Sequence, residues 1–190
     1  MRGPFTLEEL KAEMEGCRKC PLSQGRTNIV FGEGNPAARL MFIGEGPGAE
    51  EDRQGRPFVG AAGQLLDRIL AAAGMSREEV YIANVVKCRP PGNRVPTPAE
   101  AEACMPWLKK QFEIIAPRLV VLLGSTALQY LVDSKARITQ CRGQWIARGD
   151  VRIMPTYHPA ALLRDPSKKR PVWEDIQKVR DLYRQLGVGS

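Results

Sequence analysis

The chain has 190 residues, 43% of them apolar, and a formal net charge of +7. These values fit one globular domain over residues 1–190 and exclude an intrinsically disordered chain. No run of about 18 apolar residues exists and the N-terminus MRGPFTLEEL has no apolar signal core, so we expect a cytoplasmic protein with no membrane span. The positive charge favours nucleic acid as a partner, although a charge of this size also serves solubility alone.

The N-terminal part is predicted to begin with a short amphipathic helix from Thr6 to about Glu15, opened by the capping-box sequence TLEE. A tight loop, CRKCP, follows it. Residues 39–44 (RLMFIG) are predicted to form a buried strand. Residues 59–73 (VGAAGQLLDRILAAA) are predicted to form an amphipathic helix closed by Gly74.

The central part continues this alternation of strands and helices. Residues 80–86 (VYIANVV) and 119–124 (LVVLLG) are predicted strands, the second too apolar to face water on either side. Between them a helix is predicted to begin at Thr97, with Pro and Glu at its first and third positions, and to end before Pro117. We expect residues 125–126 (ST) to cap the helix that follows.

The C-terminal part is predicted to contain two strands, residues 145–148 and 151–158, and a final amphipathic helix from about residue 172 to 186. Strands alternate with helices and the central strands look buried on both faces. The predicted fold class is therefore α/β: a three-layer α/β/α domain with a central, mainly parallel, four-stranded sheet. Ligands of such sheets bind beyond the carboxyl ends of the strands, where the unusual loops of this chain lie.

Four cysteines have a pattern that suits metal ligation. Cys17 and Cys20 share a loop, Cys88 follows a predicted strand and Cys104 lies on the next helix. Four thiolates suit zinc or an iron–sulfur cluster, and disulfides are disfavoured in a chain without a secretion signal. The alternative is that Cys88 and Cys104 are small buried hydrophobic residues, which leaves Cys17 and Cys20 unexplained. Cys141 has no partner in the sequence and is predicted to be structural.

The glycine-rich elbow after the first strand, GEGPGAEED, is not a phosphate-binding loop. It lacks the GK[ST] of a Walker loop, and residues 50–52 place three acids where a pyrophosphate would lie. Glycine lets a ligand approach the backbone closely, and proline stiffens the turn. The elbow therefore favours a flat, nearly neutral ligand held by main-chain groups.

Three further side chains are candidates for binding that ligand. Phe58 offers a ring face, Asn84 places an amide in an apolar strand, and His158, the only histidine, ends a predicted strand. An amide presents one donor and one acceptor, which matches the edge of a nucleobase. Each of the three also has a purely structural interpretation: core packing for Phe58, a satisfied buried amide for Asn84 and a structural imidazole for His158.

Taken together, these features resemble the family 4 uracil-DNA glycosylases, the iron–sulfur branch of their superfamily. The matching segments are GEGPGAEED, GRPFVGAAG, NVVKCRPPGNR and YHPAALLR, in that order, together with the four cysteines. The resemblance covers nearly the whole chain. It implies an enzyme that flips uracil out of DNA, hydrolyses its N-glycosidic bond and leaves an abasic site without cutting the strand.

The resemblance also implies roles for single residues. A structural [4Fe-4S] cluster is held by the four cysteines Cys17, Cys20, Cys88 and Cys104. Phe58 stacks on uracil and Asn84 reads its edge, which rejects cytosine. The backbone around Glu45, Gly46 and Pro47 cradles the base.

The chemical step implied by the resemblance centres on His158, which faces the O2 side of uracil and stabilises the charge that the leaving base gathers. Glu45 and Glu51 are candidates for a carboxylate that favours the cationic sugar and positions water. The better-known branch of the superfamily has an aspartate in the corresponding loop, so the water-positioning group is open.

Contacts to DNA are expected from a wedge, Leu162, inserted into the duplex as the nucleotide flips. Ser125, with Thr126, begins a predicted helix and is a candidate for a phosphate contact. The basic candidates are Arg89, Arg94, Arg142, Arg164 and the run 168–170, each of which is also consistent with a solvated surface charge. We expect a monomer acting on single- or double-stranded uracil-containing DNA.

Three alternatives remain at this point. A relative that traps its DNA product covalently needs a second histidine and an arginine-rich insertion after Cys88, and the chain has neither. A binding module without catalysis would release no uracil. A redox carrier would show reversible reduction of its cluster, and an acidic docking surface would suit it better than +7.

Overall fold

The computed structural model describes residues 6–187, so the first five residues, part of the segment examined for a signal, lie outside it. Within this range one sheet has six strands in the order β1-β3-β2-β4-β6-β5. The strands are β1 Glu33–Gly34, β2 Leu40–Gly44, β3 Tyr81–Asn84, β4 Leu119–Leu123, β5 Ile146–Arg148 and β6 Val151–Thr156.

The centre of the sheet is parallel and its edges are antiparallel. On the central strand β2, Phe42 pairs with Ile82 of β3 and with Val121 of β4, and β6 continues the parallel ladder beyond β4. The edge strands β1 and β5 run antiparallel to β3 and β6. The prediction of a parallel α/β sheet is confirmed, but its count of four strands is wrong. The edge strand β5 lies within the predicted strand at residues 145–148, whereas β1 was not predicted, because its two residues are too few to give an alternating pattern.

Helices cover both faces of the sheet, as the sequence predicted. In the described residues they are α1 Leu7–Met14, α2 Leu22–Gly25, α3 Ala49–Gln54, α4 Ala61–Ala72, α5 Pro98–Ile115, α6 Ser125–Leu131, α7 Ile138–Cys141, α8 Pro159–Arg164 and α9 Lys169–Gly187. Short 3₁₀ turns occupy Pro91–Asn93 and Pro166–Lys168. No helix in this part of the chain is long and apolar enough to cross a membrane.

Alternate residues of each strand contact opposite helical layers. Met41 and Ile43 face the layer of α1, α5 and α6, whereas Leu40 and Phe42 face α4, α8 and α9. This is the period-two alternation of a strand that is buried on both faces. It explains why the central strands have almost uninterrupted apolar sequences.

The predicted helix starts at Thr6 and Thr97 are confirmed, since each threonine hydroxyl accepts a hydrogen bond from the backbone N–H three residues later. The predicted cap at residues 125–126 is wrong. The N-cap of α6 is Gly124, whose φ of +95° suits glycine, and no side chain caps that helix.

The strand order creates a crevice at one end of the sheet. After β2 the chain moves to β3 on one side, and later returns to β4 on the other side of β2. Loops that leave β2 and β4 therefore diverge, and the space between them is where open α/β sheets bind their ligands.

Candidate active site

A cavity of about 560 Å³ lies at the carboxyl ends of the parallel strands and is called here the sheet-edge cavity. Every parallel strand contributes to it through its last residue or the turn that follows. Its lining includes Glu45, Gly46, Pro47, Glu51, Phe58, Asn84, Gly124, Ser125, Thr126, Tyr157, His158, Arg164 and Lys168. All the predicted catalytic and base-contacting residues thus border one space.

The glycines of the elbow allow neighbouring groups to approach the backbone closely. A Cβ at Gly44 would lie 2.6 Å from Cζ of Phe58 and 2.7 Å from Oδ1 of Asn84. A Cβ at Gly46 would lie 2.7 Å from a methyl carbon of Val86. Real Cβ contacts are not this short, so both positions need glycine for close approach of neighbouring groups.

Phe58 is held in an unusual backbone conformation. Its φ is +52°, in the left-handed region that costs a non-glycine residue about 1–2 kcal/mol. Its carbonyl group presses against Gly63, where a Cβ would lie only 1.9 Å from the Phe58 carbonyl oxygen. The guanidinium of Arg77 donates to the carbonyl oxygens of Pro57 (2.7 Å) and Phe58 (3.0 Å). These contacts fix the direction of the Phe58 ring.

Arg77 was not singled out in the sequence. It lies in the loop after α4, and its guanidinium also pairs with Glu33 at 2.6 Å and Asp67 at 2.9 Å. An arginine nineteen residues beyond Phe58 gives no local pattern that links the two.

His158 stands against Phe58 at the cavity wall, with ring centroids 5.5 Å apart and planes inclined by 27°. It is the N-cap of α8, and its Nδ1 accepts a hydrogen bond from the backbone N–H of Ala160 at 3.0 Å. Desolvation, helped by the positive charge of Arg164, lowers the pKa of His158 to about 4. The imidazole is therefore neutral at pH 7, and because Nδ1 accepts, its proton resides on Nε2.

Asn84 ends β3 with its side chain at the cavity wall. It is 2% exposed, and its Oδ1 is buried without a hydrogen-bond partner among residues 6–187. An unpaired buried amide oxygen costs about 1–3 kcal/mol. Such an atom in a cavity wall is suited to accept a hydrogen bond from a ligand.

The two candidate carboxylates have different surroundings. Glu45 accepts one side-chain hydrogen bond, from the hydroxyl of Thr126 at 2.6 Å. Glu51 accepts three from the backbone: from Gly48 at 3.0 Å on Oε1, and from Val59 at 2.8 Å and Gly60 at 2.6 Å on Oε2. Glu51 thus ties the elbow to the segment that carries Phe58, whereas Glu45 keeps an oxygen available at the cavity. No sequence pattern indicates this difference.

The predicted wedge, Leu162, is 1% exposed and packs in the core beneath α8. The next residue, Leu163, is 46% exposed and is one of two large exposed hydrophobic residues in the described chain. A side chain buried in the core has no free surface to place in a duplex, so the structure favours Leu163 over Leu162 for that role. The helix phase set by the His158 cap decides which leucine points outward.

The predicted basic contacts divide into two groups. Arg164 and Lys168 line the sheet-edge cavity, with the ammonium of Lys168 5.0 Å from the ring centroid of Tyr157. Arg94 also borders this cavity and forms an ion pair with Glu100 at 2.7 Å, whereas Arg142 does not border it and pairs with Asp175 at 2.5 Å. Arg142 is therefore committed to a contact within the protein.

A second cavity, the cysteine cavity, is bordered by Cys17, Cys20, Cys88 and Cys104 together. Cys141 does not border it. Backbone and side-chain donors already point at its sulfurs: the N–H of Lys87 lies 3.3 Å from Sγ of Cys104, and the guanidinium of Arg26 lies 3.4 Å from Sγ of Cys88.

Among residues 6–187, no group of three or more Cys, His, Asp or Glu side chains is placed to hold a single metal ion.

Comparisons with known proteins identify the family that the chain resembles. Residues 31–177 match the profile of the uracil DNA glycosylase superfamily. The chain is 49% identical to a type-4 uracil-DNA glycosylase of Thermotoga maritima, over 96% of this chain and 100% of that protein. It is 42% identical to a type-4 uracil-DNA glycosylase of Archaeoglobus fulgidus, over 93% of each chain. A type-5 uracil-DNA glycosylase of Pyrobaculum aerophilum is 34% identical, over 73% of this chain and 67% of that protein.

Proposed function

The chain belongs to the uracil-DNA glycosylase superfamily and, within it, to the type-4 enzymes, and we propose that it removes uracil from DNA in base excision repair. The bond between C1′ of deoxyribose and N1 of uracil breaks, and its electrons leave with the base. Water then gives its hydroxyl to C1′ and its proton to uracil. The products are free uracil and an abasic site in an uncut strand.

The observation that carries the proposal is the unpaired Oδ1 of Asn84 in the wall of the sheet-edge cavity. Uracil presents an imide N–H between two carbonyl oxygens. The Asn84 amide offers an acceptor for that N–H and a donor for the neighbouring oxygen. Cytosine presents an acceptor and an amino group at the same positions, so its binding would leave polar groups of both partners unpaired.

The Phe58 ring supports this assignment because it offers a flat face to a base that has left the stack. Its direction is fixed by Gly63 and Arg77 before any base arrives. Little ordering of the side chain is then needed on binding, which favours affinity.

His158 acts on the leaving base. Its Nε2–H donates toward the carbonyl oxygen at which negative charge grows as the glycosidic bond breaks, while Nδ1 is held by the N–H of Ala160. The neutral ring loses no proton in this role, because its lowered pKa favours a donor that stays uncharged. Loss of one such donor typically costs about 100- to 1,000-fold in rate.

Glu45 acts on the other fragment. Its carboxylate is oriented by the Thr126 hydroxyl and favours the positive charge that develops on the sugar. The carboxylate oxygen that does not accept from Thr126 can orient the attacking water. Glu51, with its three backbone donors, shapes the pocket and takes no part in the chemistry.

Outside the pocket, Leu163 is the side chain that fills the gap left in the duplex, and Arg164, Lys168 and Ser125 contact the DNA strand. Leu163 and Arg164 are exposed neighbours on α8, directly after the segment that carries His158. All these groups come from one chain, so the proposal needs only a monomer.

The cysteine cavity fits an iron–sulfur cluster. Four thiols around one cavity provide one ligand for each iron of a [4Fe-4S] cluster. When bound, the cluster supplies structural cross-links through its iron–thiolate bonds. These links would join the N-terminal loop at Cys17 and Cys20 to α5 and to the loop after β3.

The test is release of free uracil from single- and double-stranded oligonucleotides by the wild type, Asn84→Ala and His158→Ala, without added metal. Asn35→Ala is the control: Asn35 precedes β2, at the other end of the strands, and its Oδ1 accepts only from the N–H of Ala37. We expect both pocket variants to lose at least about 100-fold in rate and the control to keep full activity.

Two results would oppose the proposal. No uracil release by folded wild type from either substrate would rule out uracil excision. Full activity in Asn84→Ala would show that the base binds elsewhere, even if uracil is released.

A further inference from the structure

Lys87 is a buried lysine beside the cysteine cavity. It is 1% exposed and borders the cavity, and its Nζ donates to Oε1 of Gln111 at 2.7 Å. Gln111 is itself held, since its Nε2 donates to the carbonyl oxygen of Phe31 and to the hydroxyl of Tyr81. Lys87 forms no ion pair with any carboxylate in residues 6–187. An unpaired charge in this environment costs several kcal/mol unless an anion lies nearby.

Trp107 is a second group at the same cavity that lacks a partner. It lies on α5, three residues and thus about one turn after Cys104, and it is 4% exposed. Its Nε1–H, which can only donate, is buried with no acceptor in the described chain. The ammonium of Lys19 lies 4.3 Å from the ring centroid, so cations border this side of the cavity as well.

Both groups are explained by the same occupant. Negative charge in the cavity would stabilise the buried Lys87 ammonium, and the Trp107 N–H has no hydrogen-bond acceptor among residues 6–187. Two of the thiolate sulfurs already accept from Arg26 and from the Lys87 backbone. An iron–sulfur cluster with four thiolates is net negative and brings inorganic sulfides as further acceptors.

We propose that Lys87 and Trp107 are positioning residues for the cluster, Lys87 as its buried countercharge and Trp107 as a hydrogen-bond donor to its sulfur. This inference rests on the proposed [4Fe-4S] cluster and goes beyond the four cysteine ligands. Groups around a metal centre that orient or neutralise it typically contribute about 10- to 100-fold to metal affinity. A positive charge and an N–H donor also favour the more negative, reduced form, so they raise the reduction potential.

The experiment compares wild type with Trp107→Phe, which keeps the ring and removes the N–H, and with Lys87→Met, which keeps much of the length and removes the charge. Trp173→Phe is the matched control, because Trp173 lies on α9 and packs on the opposite face of the sheet. Anaerobically purified protein is analysed for iron and sulfide per chain. The rate of iron loss to a ferrous chelator and the reduction potential are then measured.

We expect both variants to lose iron about 10-fold faster than wild type and to have a lower reduction potential, with Trp173→Phe unchanged. If Lys87→Met does not fold, Trp107→Phe alone decides. If Trp107→Phe and Lys87→Met had the same iron-loss rate and reduction potential as Trp173→Phe, the inference would be overturned. The proposal of the cluster itself would still stand. Zinc without sulfide in the wild type would overturn both the cluster and this inference, while uracil release by the same sample would still test the glycosylase.

Discussion

The division of labour between Glu45 and Glu51 can be tested with one isosteric substitution at each position. Glu51→Gln leaves one oxygen where two oxygens now accept three backbone N–H groups. If that oxygen stays toward Val59 and Gly60, the new amide NH₂ faces the N–H of Gly48. The charge-assisted hydrogen bond from Gly48 is then lost, and the hydrogen bonds from Val59 and Gly60 become bonds to a neutral acceptor.

A hydrogen bond to a charged group contributes about 1.5–3 kcal/mol and a neutral one about 0.5–1.5 kcal/mol. Glu51 is partly exposed, so we expect Glu51→Gln to lower the free energy of unfolding by about 2–3 kcal/mol. In a chain of this length that corresponds to a fall in Tm of about 4–12 °C. Glu45→Gln keeps an acceptor for Thr126 and should change the free energy of unfolding by less than about 1 kcal/mol.

The rate of chemistry should show the opposite order. Glu45→Gln removes the negative charge that faces the sugar and should slow single-turnover uracil release by about 100-fold. Glu51→Gln, assayed well below its Tm, should be slowed by less than about 10-fold. The assay is uracil release at saturating enzyme, with Tm measured on the same samples. If Glu51→Gln kept the Tm of the wild type and lost as much rate as Glu45→Gln, Glu51 would act in the chemistry and would not tie the elbow to the Phe58 segment.

Three further predictions concern the pocket wall, its pH dependence and the DNA wedge. Arg77→Met should weaken inhibition by free uracil about 10-fold, because the Arg77 guanidinium holds the carbonyl groups of Pro57 and Phe58 that fix the stacking ring. Arg56→Met is the control, since Arg56 pairs with Glu33, as Arg77 does, and should leave inhibition unchanged. Equal effects of the two substitutions would contradict the role of Arg77 in holding Phe58. The free energy of unfolding should fall as the pH drops from about 6.5 toward 4, because the unfolded chain protonates His158 first, and urea unfolding of His158→Asn should lack this part of the slope. Leu163→Ala should slow uracil release from double-stranded but not from single-stranded DNA, at unchanged Tm. Leu162→Ala should instead lower the free energy of unfolding by about 2–5 kcal/mol. If only Leu162→Ala lost activity on double-stranded DNA while keeping it on single-stranded DNA, Leu162 and not Leu163 would be the wedge.

The sequence was sufficient to predict the layers of the fold and the composition of the pocket. Buried strands reveal themselves by continuous apolar runs, and long helices by their period and caps, as at Thr97. Chain connectivity then places strand ends at one edge, so residues such as Asn84 and His158 could be assigned to one site before any coordinates.

The direction and partners of individual side chains were beyond sequence reasoning. The choice between Leu162 and Leu163 depends on the phase of a six-residue helix, which is too short to show a period. Arg142 looked free because its partner, Asp175, is thirty-three residues away. Contacts of this kind arise from tertiary packing and leave no local signal.

The glycines of the sheet-edge cavity also limit how this pocket can change. At Gly46 and Gly63 the wall is already main chain, so any substitution adds atoms and none removes them. Single mutations there can make the enzyme more selective or inactive, but they cannot create room for a larger base. Room can come only from wall positions that carry a side chain, above all Phe58. A path toward bulkier lesions therefore begins with loss of the ring that holds uracil, and broader substrate range would be acquired only through a weaker enzyme for the original base.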